Sequence, residues 1–332
     1  HTNGVTDPTK CNHPALELKR DDDWFYSAVV SMGCMGVIYS IVIETLPLYN
    51  LIETRTLTTW SDVKKILQQG DELHKNRHFE VLVNAYPRAD GEHTCIVTRR
   101  NVASPDTPLF LSGRYSYWST FLNSLPAFYS QNSTYTFLSG SPKSIPSTLD
   151  NGLAQLKCDR YVNRYDKVLN LGVNGIDGYA TELAYPMDTH IQATEEMFLW
   201  AQKSLQLSGG AGDIKNYFTS PFSLRFVKAA DAYLSPQYGR DTCMMEIPFV
   251  CRPGVNLIAQ TKATMSAIES RCFKLKGRPH WGLEFDNITA QQVRDIYPKF
   301  DTWLTVHNTL NPRGTFNNDF SNRLHLKPTV IV

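Results

Sequence analysis

Five short stretches of this 332-residue chain join reactive side chains to backbone types that let a ligand come close. Ser31-Met-Gly-Cys-Met-Gly-Val-Ile38 sets two glycines ahead of a β-branched run. Gly33 and Gly36 reach backbone conformations closed to other residues, and their NH groups could face a dinucleotide. The plainer reading is a core turn between two apolar elements. It is not a Rossmann fingerprint, because no G-x-G-x-x-G opens a helix there. Thr181-Glu-Leu-Ala-Tyr-Pro186 and Phe222-Ser-Leu-Arg-Phe226 place Glu182, Ser223 and Arg225 in strand-like runs. A desolvated carboxylate takes up protons and a guanidinium binds oxygen atoms, although on a strand both are ordinarily solvated or ion-paired. Gly277-Arg-Pro-His-Trp-Gly282 carries His280 and Trp281, with Glu284 just beyond. Asn311-Pro-Arg-Gly-Thr-Phe-Asn-Asn-Asp319 ends in amides and a carboxylate, which turn chemistry explains equally well. No G-x-S-x-G, H-E-x-x-H or P-loop pattern occurs, and the nine histidines do not cluster at metal spacing.

Bulk composition narrows the setting. The 33 basic and 32 acidic residues nearly balance and the basic ones are scattered, which argues against nucleic acid or an anionic membrane as partner. No apolar run reaches the roughly 20 residues of a membrane-spanning helix. Val37 to Leu48 comes nearest, but Ser40, Glu44 and Pro47 make it read as a buried strand. The seven cysteines include no Cys-x-x-Cys, so neither a zinc site nor a disulfide framework is expected. Sequons at Asn132 and Asn287 raise a secretory or extracellular reading slightly. His1 is an improbable native start, and no signal peptide is visible.

Elements able to position these residues follow from periodicity. Strand-like runs lie at 79–85, 94–98, 178–185, 222–227 and 244–250. Helical periodicity spans 190–207 and 257–273, with another helix starting after Thr59, where Ser61 is a candidate cap. Thr289 caps a last helix through Val293, Ile296, Phe300 and Trp303. Residues 101–150 mix Ser, Pro and aromatics (among them Tyr115, Trp118 and Phe121) and read as loop and short helix. Irregular alternation of helix and strand indicates an α+β lobe with an antiparallel sheet.

The Ser31–Ile38 turn, the His280-Trp-Gly run and the Asn311–Asp319 segment, in that order, resemble the C-terminal part of the aldonolactone and alditol oxidases. These are flavoproteins of the vanillyl-alcohol oxidase type. Gly33-Cys-Met-Gly-Val-Ile38 matches the family's Gly-(Cys/Ala)-Leu-Gly-Val-Ile segment with one Leu-to-Met change. The resemblance implies FAD as cofactor, lined by Ser31, Gly33, Cys34, Gly36, Val37, Ile38, His280, Trp281 and Asn317. It implies an α+β architecture: residues 1–50 as the C-terminal edge of a PCMH-type FAD-binding domain, 51–275 as a cap domain with an antiparallel sheet flanked by helices, and 276–332 returning to the flavin. The family's N-terminal flavin subdomain has no counterpart here and is expected as a partner, from the same precursor or a separate piece. The implied reaction moves a hydride from a hydroxyl-bearing carbon of a small alcohol or lactone to flavin N5. Arg225 would bind the substrate oxygen, with Glu182 or Glu284 as base. Two positions depart from the pattern. Ser223 stands where the family has Glu, and Leu283 where it has Lys. Those departures keep open a second reading, a catalytically degenerate homologue kept as a structural or binding protein.

Overall fold

A computed structural model describes residues 1–4, 6–11, 13–111, 140–170, 178–207, 217–250, 257–324 and 326. Asn132 and the aromatic stretch from Tyr115 to Tyr129 lie outside the described residues. The helices are α1 (Asp22–Ala28), α2 (Trp60–Gln69), α3 (Asp71–Lys75), α4 (Ile145–Gln155), α5 (Tyr165–Leu169), α6 (His190–Leu207), α7 (Leu257–Lys274), α8 (Ala290–Ile296), α9 (Phe300–Leu310) and α10 (Asp319–Arg323). The strands are β1 (Asn50–Thr59), β2 (His78–Pro87), β3 (His93–Val102), β4 (Cys158–Arg164), β5 (Gly178–Pro186), β6 (Phe222–Val227), β7 (Thr242–Val250) and β8 (Arg278–Pro279). The architecture is α+β, with the strands in one sheet ordered β4-β1-β3-β2-β6-β7-β5-β8 and paired antiparallel throughout.

The chain divides into two compact units, residues 1–44, 228–241 and 286–332 in the first and 45–227 and 242–285 in the second. These bounds differ from divisions at 50 and 275. Residues 228–241 join the first unit because Tyr233 N–H donates to the Tyr26 carbonyl (3.1 Å) and its hydroxyl to Asp23. Residues 280–284 stay with the sheet because His280 N–H donates to the Glu182 carbonyl (2.9 Å) and Glu284 N–H to that of Ala180 (3.0 Å).

The sheet lies wholly in the second unit, and strand alternation gives it two unlike faces. Phe79, Val81 and Val83 of β2, Phe222 and Leu224 of β6, Met245 and Ile247 of β7 and Leu183 and Tyr185 of β5 form one apolar face. They pack in a single cluster with Val63 and Leu67 of α2, Met197 and Phe198 of α6 and Ile268 of α7. The cap of α2 is Thr59, whose hydroxyl accepts from Asp62 N–H, rather than Ser61. Helix α4 begins at the end of the stretch expected to be loop and short helix, and Leu153 with the capping Leu156 packs on Leu82 and Ile96 of the opposite face.

In the first unit the helix capped by Thr289 is two helices. Pro298 has no N–H to donate and turns Tyr297 extended (φ −117°, ψ 97°), ending α8 before α9 begins. Trp303 Nε1–H donates to the Val30 carbonyl (2.9 Å), and Trp303 stacks on Phe300 and His307. Residues 37–48 are not a buried strand. They carry no regular structure and are largely exposed, Tyr39 at 99 %. An extended run becomes a strand only when a neighbour takes its NH and CO groups, and none of the described strands does so.

Candidate functional site

The second face of the sheet is charged. Register explains why: Glu53 of β1 lies opposite Arg100 of β3, and Glu80 of β2 lies opposite Arg225 of β6. Ser223 of β6 and Glu182 of β5 both lie opposite Glu246 of β7. Side chains at these positions share a face and meet across the strands. Arg55 Nη2 sits 2.9 Å from Glu53, whose other oxygen accepts from Arg100 Nε at 2.6 Å. Arg100 Nη1 reaches Glu80 at 3.4 Å. Glu80 turns its other oxygen to Arg225 Nε (3.6 Å) and accepts from Ser223 Oγ–H (3.4 Å). Arg225 Nη1 donates to Glu182 (3.2 Å) and Nη2 to Glu246. His280 Nε2 stands 3.9 Å from the second Glu182 oxygen. A chain of ion pairs thus crosses the sheet from Arg55 to Glu182 and Glu246, with His280 next to it.

Arg225 is the most open member of this chain, although Glu182 beside it stays buried, with 8 % exposed. Glu53 and Arg55 have no exposed side-chain surface, Glu80 has 11 %, and Arg225 opens to 47 %. The Arg225 end holds the groups whose proton affinity the surroundings shift. Burial drives the Glu182 carboxyl above its ordinary value against the pull of Arg225, and the charge of Glu246 adds to the rise. For Arg225, burial works against the charge, but Glu246, Glu80 and Glu182 together outweigh it and hold the guanidinium above its usual range. The result is a half-exposed cation beside a carboxyl primed to hold a proton.

The other sequence candidates distribute as follows. Trp281 packs against Phe285 (5.4 Å, edge to face). Glu284 is turned to Lys262 (3.4 Å) instead of Arg225, on the segment that carries half-buried Leu283. In the first unit, Met32, Gly33 and Gly36 all have positive φ, and nothing lies within 4 Å of where a Cβ would stand on either glycine. The turn is closed by Cys34 N–H donating to the Ser31 carbonyl (3.0 Å). Cys34 itself is fully buried and its thiol is pushed up to about 11 by burial, so it lines the turn as an inert group. Val37 and Ile38 follow, exposed. Asn317 serves the turn at Gly314: its side chain accepts from Asn311 Nδ2–H at 2.9 Å, and its N–H donates to the Gly314 carbonyl.

The family model for D-arabinono-1,4-lactone oxidase matches residues 41–324. The chain belongs to that family. Similar proteins include an L-gulono-1,4-lactone dehydrogenase of Mycobacterium tuberculosis, 25% identical over 319 residues, covering 93% of this chain and 65% of the relative. An L-gulonolactone oxidase of Mus musculus is 25% identical over 310 residues, covering 90% and 62%. This member of the family therefore spans less than two thirds of the length of those relatives. A long-chain alcohol oxidase of an uncultured marine euryarchaeote is 34% identical over 110 residues, covering 31% of this chain and 22% of the relative. Among solved structures, a solvent-stable cholesterol oxidase shares the fold, with a TM-score of 0.57 at 12% identity over 84% of this chain and 60% of that one.

Of the catalytic candidates, Arg225, Glu182 and Ser223 come together in the structure while Glu284 faces Lys262, and His280, expected to line the flavin, lies beside Glu182. Sequence reasoning missed Glu53, Arg55, Glu80, Arg100 and Glu246. Polar or charged residues at every second position were the available signal: Glu53 and Arg55 in β1, His78 and Glu80 in β2, Thr98 and Arg100 in β3.

Proposed function

We propose that this chain forms the substrate-binding part of an FAD-dependent oxidoreductase that oxidises a hydroxyl-bearing carbon to a carbonyl. The observation that carries the reading is the half-exposed Arg225 with Glu182 beside it at 3.2 Å. A substrate oxygen bound by the Arg225 guanidinium is polarised and held in one orientation. Glu182 then accepts the hydroxyl proton, and His280, 3.9 Å beyond, relays or balances that charge. FAD, when bound, supplies the hydride acceptor at N5. The Gly33–Gly36 turn fits such a group, because its backbone is open to close approach and its following segment is apolar and exposed. The matched relatives extend beyond the aligned part, and flavin-domain sequence of that kind is the partner we infer for residues 37–48.

Sugar lactones, alditols and related alcohols are the substrate class, in keeping with relatives named as gulonolactone oxidase and dehydrogenase. Carboxylates remain around Arg225 although position 223 is Ser, which favours a working site over a degenerate one. The test is a visible spectrum of the natively purified protein, followed by anaerobic addition of aldonolactones, alditols and apolar alcohols. Flavin bands bleached by one member are expected. Flavin bands that no alcohol bleaches, or a colourless protein, would overturn the reading.

A further inference from the structure

Arg225 is the exposed cation of the site, yet each of its three nitrogens already faces a carboxylate: Nε Glu80, Nη1 Glu182 and Nη2 Glu246. Glu80 differs from the other two. Like Glu182 it is buried, but it also takes the Ser223 hydroxyl and is tied from behind by Arg100 at 3.4 Å, which Glu53 holds in turn. Glu182 and Glu246 reach the guanidinium from β5 and β7 on one side of β6, whereas Glu80 reaches it from β2 on the other and alone has a second arginine behind it. An Arg that serves as the receptor for an anionic substrate needs donors without a carboxylate partner. Arg225 faces three carboxylates, of which Arg100 offsets Glu80 only in part because Glu53 shares it, so an incoming anion would meet repulsion.

We propose that Glu80 is the positioning and specificity-determining residue of this site. It orients Arg225 from β2 in place of a carboxylate at position 223, and it restricts the site to uncharged hydroxyl compounds, excluding hydroxy acids. This rests on the oxidoreductase reading. The Ser223 hydroxyl, 3.4 Å from Glu80, marks the spot from which a longer acidic side chain on β6 would reach the same guanidinium.

The experiment compares an aldono-1,4-lactone with the sodium salt of its ring-opened aldonate, a neutral and an anionic form of one carbon skeleton. Wild type, Glu80→Gln and the double variant Glu80→Gln/Ser223→Glu are assayed as flavin-loaded protein for kcat/KM, and by thermal shift with the aldonate. Wild type should prefer the lactone, and Glu80→Gln should narrow that preference about 10- to 100-fold, mainly by lowering KM for the aldonate. Glu80→Gln should also gain an aldonate-dependent rise in Tm that wild type lacks. The double variant should restore both properties, which a merely structural role for Glu80 would not produce. If Glu80→Gln does not fold, the double variant and Glu80→Asp are expected to fold and keep wild-type discrimination. Wild type that takes aldonate as readily as lactone would overturn the proposal, and so would a double variant that fails to discriminate. Should no alcohol bleach the flavin, the oxidoreductase reading fails, and the thermal-shift arm still decides whether Glu80 bars anions from Arg225.

Discussion

Glu53 is the most deeply buried anion of the sheet face, and removing its charge should be costly. Its carboxylate lies between Arg55 (2.9 Å) and Arg100 (2.6 Å), and neither Glu53 nor Arg55 exposes any side chain. Glu53→Gln keeps the shape and deletes the charge, leaving two guanidiniums facing a neutral amide out of water. Breaking a buried pair in this way costs about 3–5 kcal/mol. In a domain of roughly 200 residues each kcal/mol shifts Tm by about 2–4 °C, so a fall on the order of 10 °C is expected. Calorimetry on wild type and variant reads it directly. Asp188→Asn serves as control. It deletes an ion pair with Lys276 at 3.3 Å whose side chains are 63 % and 70 % exposed, a pair worth about 0–1 kcal/mol. The variant should also lose activity, because Arg100 freed from Glu53 draws Glu80 away from Arg225. A loss under about 1 kcal/mol, close to that of the control, would refute the view that the charged row is one buried network.

Two further outcomes follow from titration. If Glu182 is the base, it must be ionised to act, so kcat rises with pH through its pKa. Burial raises that pKa, placing the acid limb above the ordinary carboxylate range. Glu182→Gln should lower kcat by about 100-fold or more and abolish the limb, with flavin absorbance unchanged; an unaltered pH profile counts against the role. Stability should fall in acid, because burial lowers the pKa of His78, His93, His190 and His307, with Arg100 adding to the effect at His78. Folded pKa values below the unfolded one, about 6.5, mean that the unfolded chain binds more protons. That stability is complete above about pH 6.5 and is lost as pH falls through the folded values. The urea midpoint at pH 5.5 should lie below that at pH 7.5, and a flat or rising midpoint would contradict the assignment.

The elements legible in the sequence were those whose own period decided them. Helix α6 spans His190–Leu207 as its apolar spacing predicts, and β5, β6 and β7 fall where β-branched and aromatic residues cluster. Strands β1 and β4 were missed because their sequences are mostly polar, Asn-Leu-Ile-Glu-Thr-Arg-Thr-Leu-Thr-Thr in β1. Residues 37–48 show the converse. Their β-branched run has every local property of a strand, but a strand needs a partner for its backbone groups, and composition does not supply one.

The charged face was half legible for a related reason. Taken singly, Glu80 or Arg100 reads as a solvated surface residue, because an unpaired charge is almost never buried. What permits burial here is a partner on the next strand, directly opposite and 47 residues away for Glu53 and Arg100, diagonal and 143 residues away for Ser223 and Glu80. Spacing within one strand reveals only that Ser223 and Arg225 share a face. It cannot show that β2 lies beside β6 and delivers Glu80 to the same guanidinium. Along the chain Ser223 beside Arg225 shows no carboxylate on its own strand, whereas across the sheet Glu80 supplies one from the adjacent strand. Register, not residue identity along one segment, decides whether the Arg225 site keeps its charge balance.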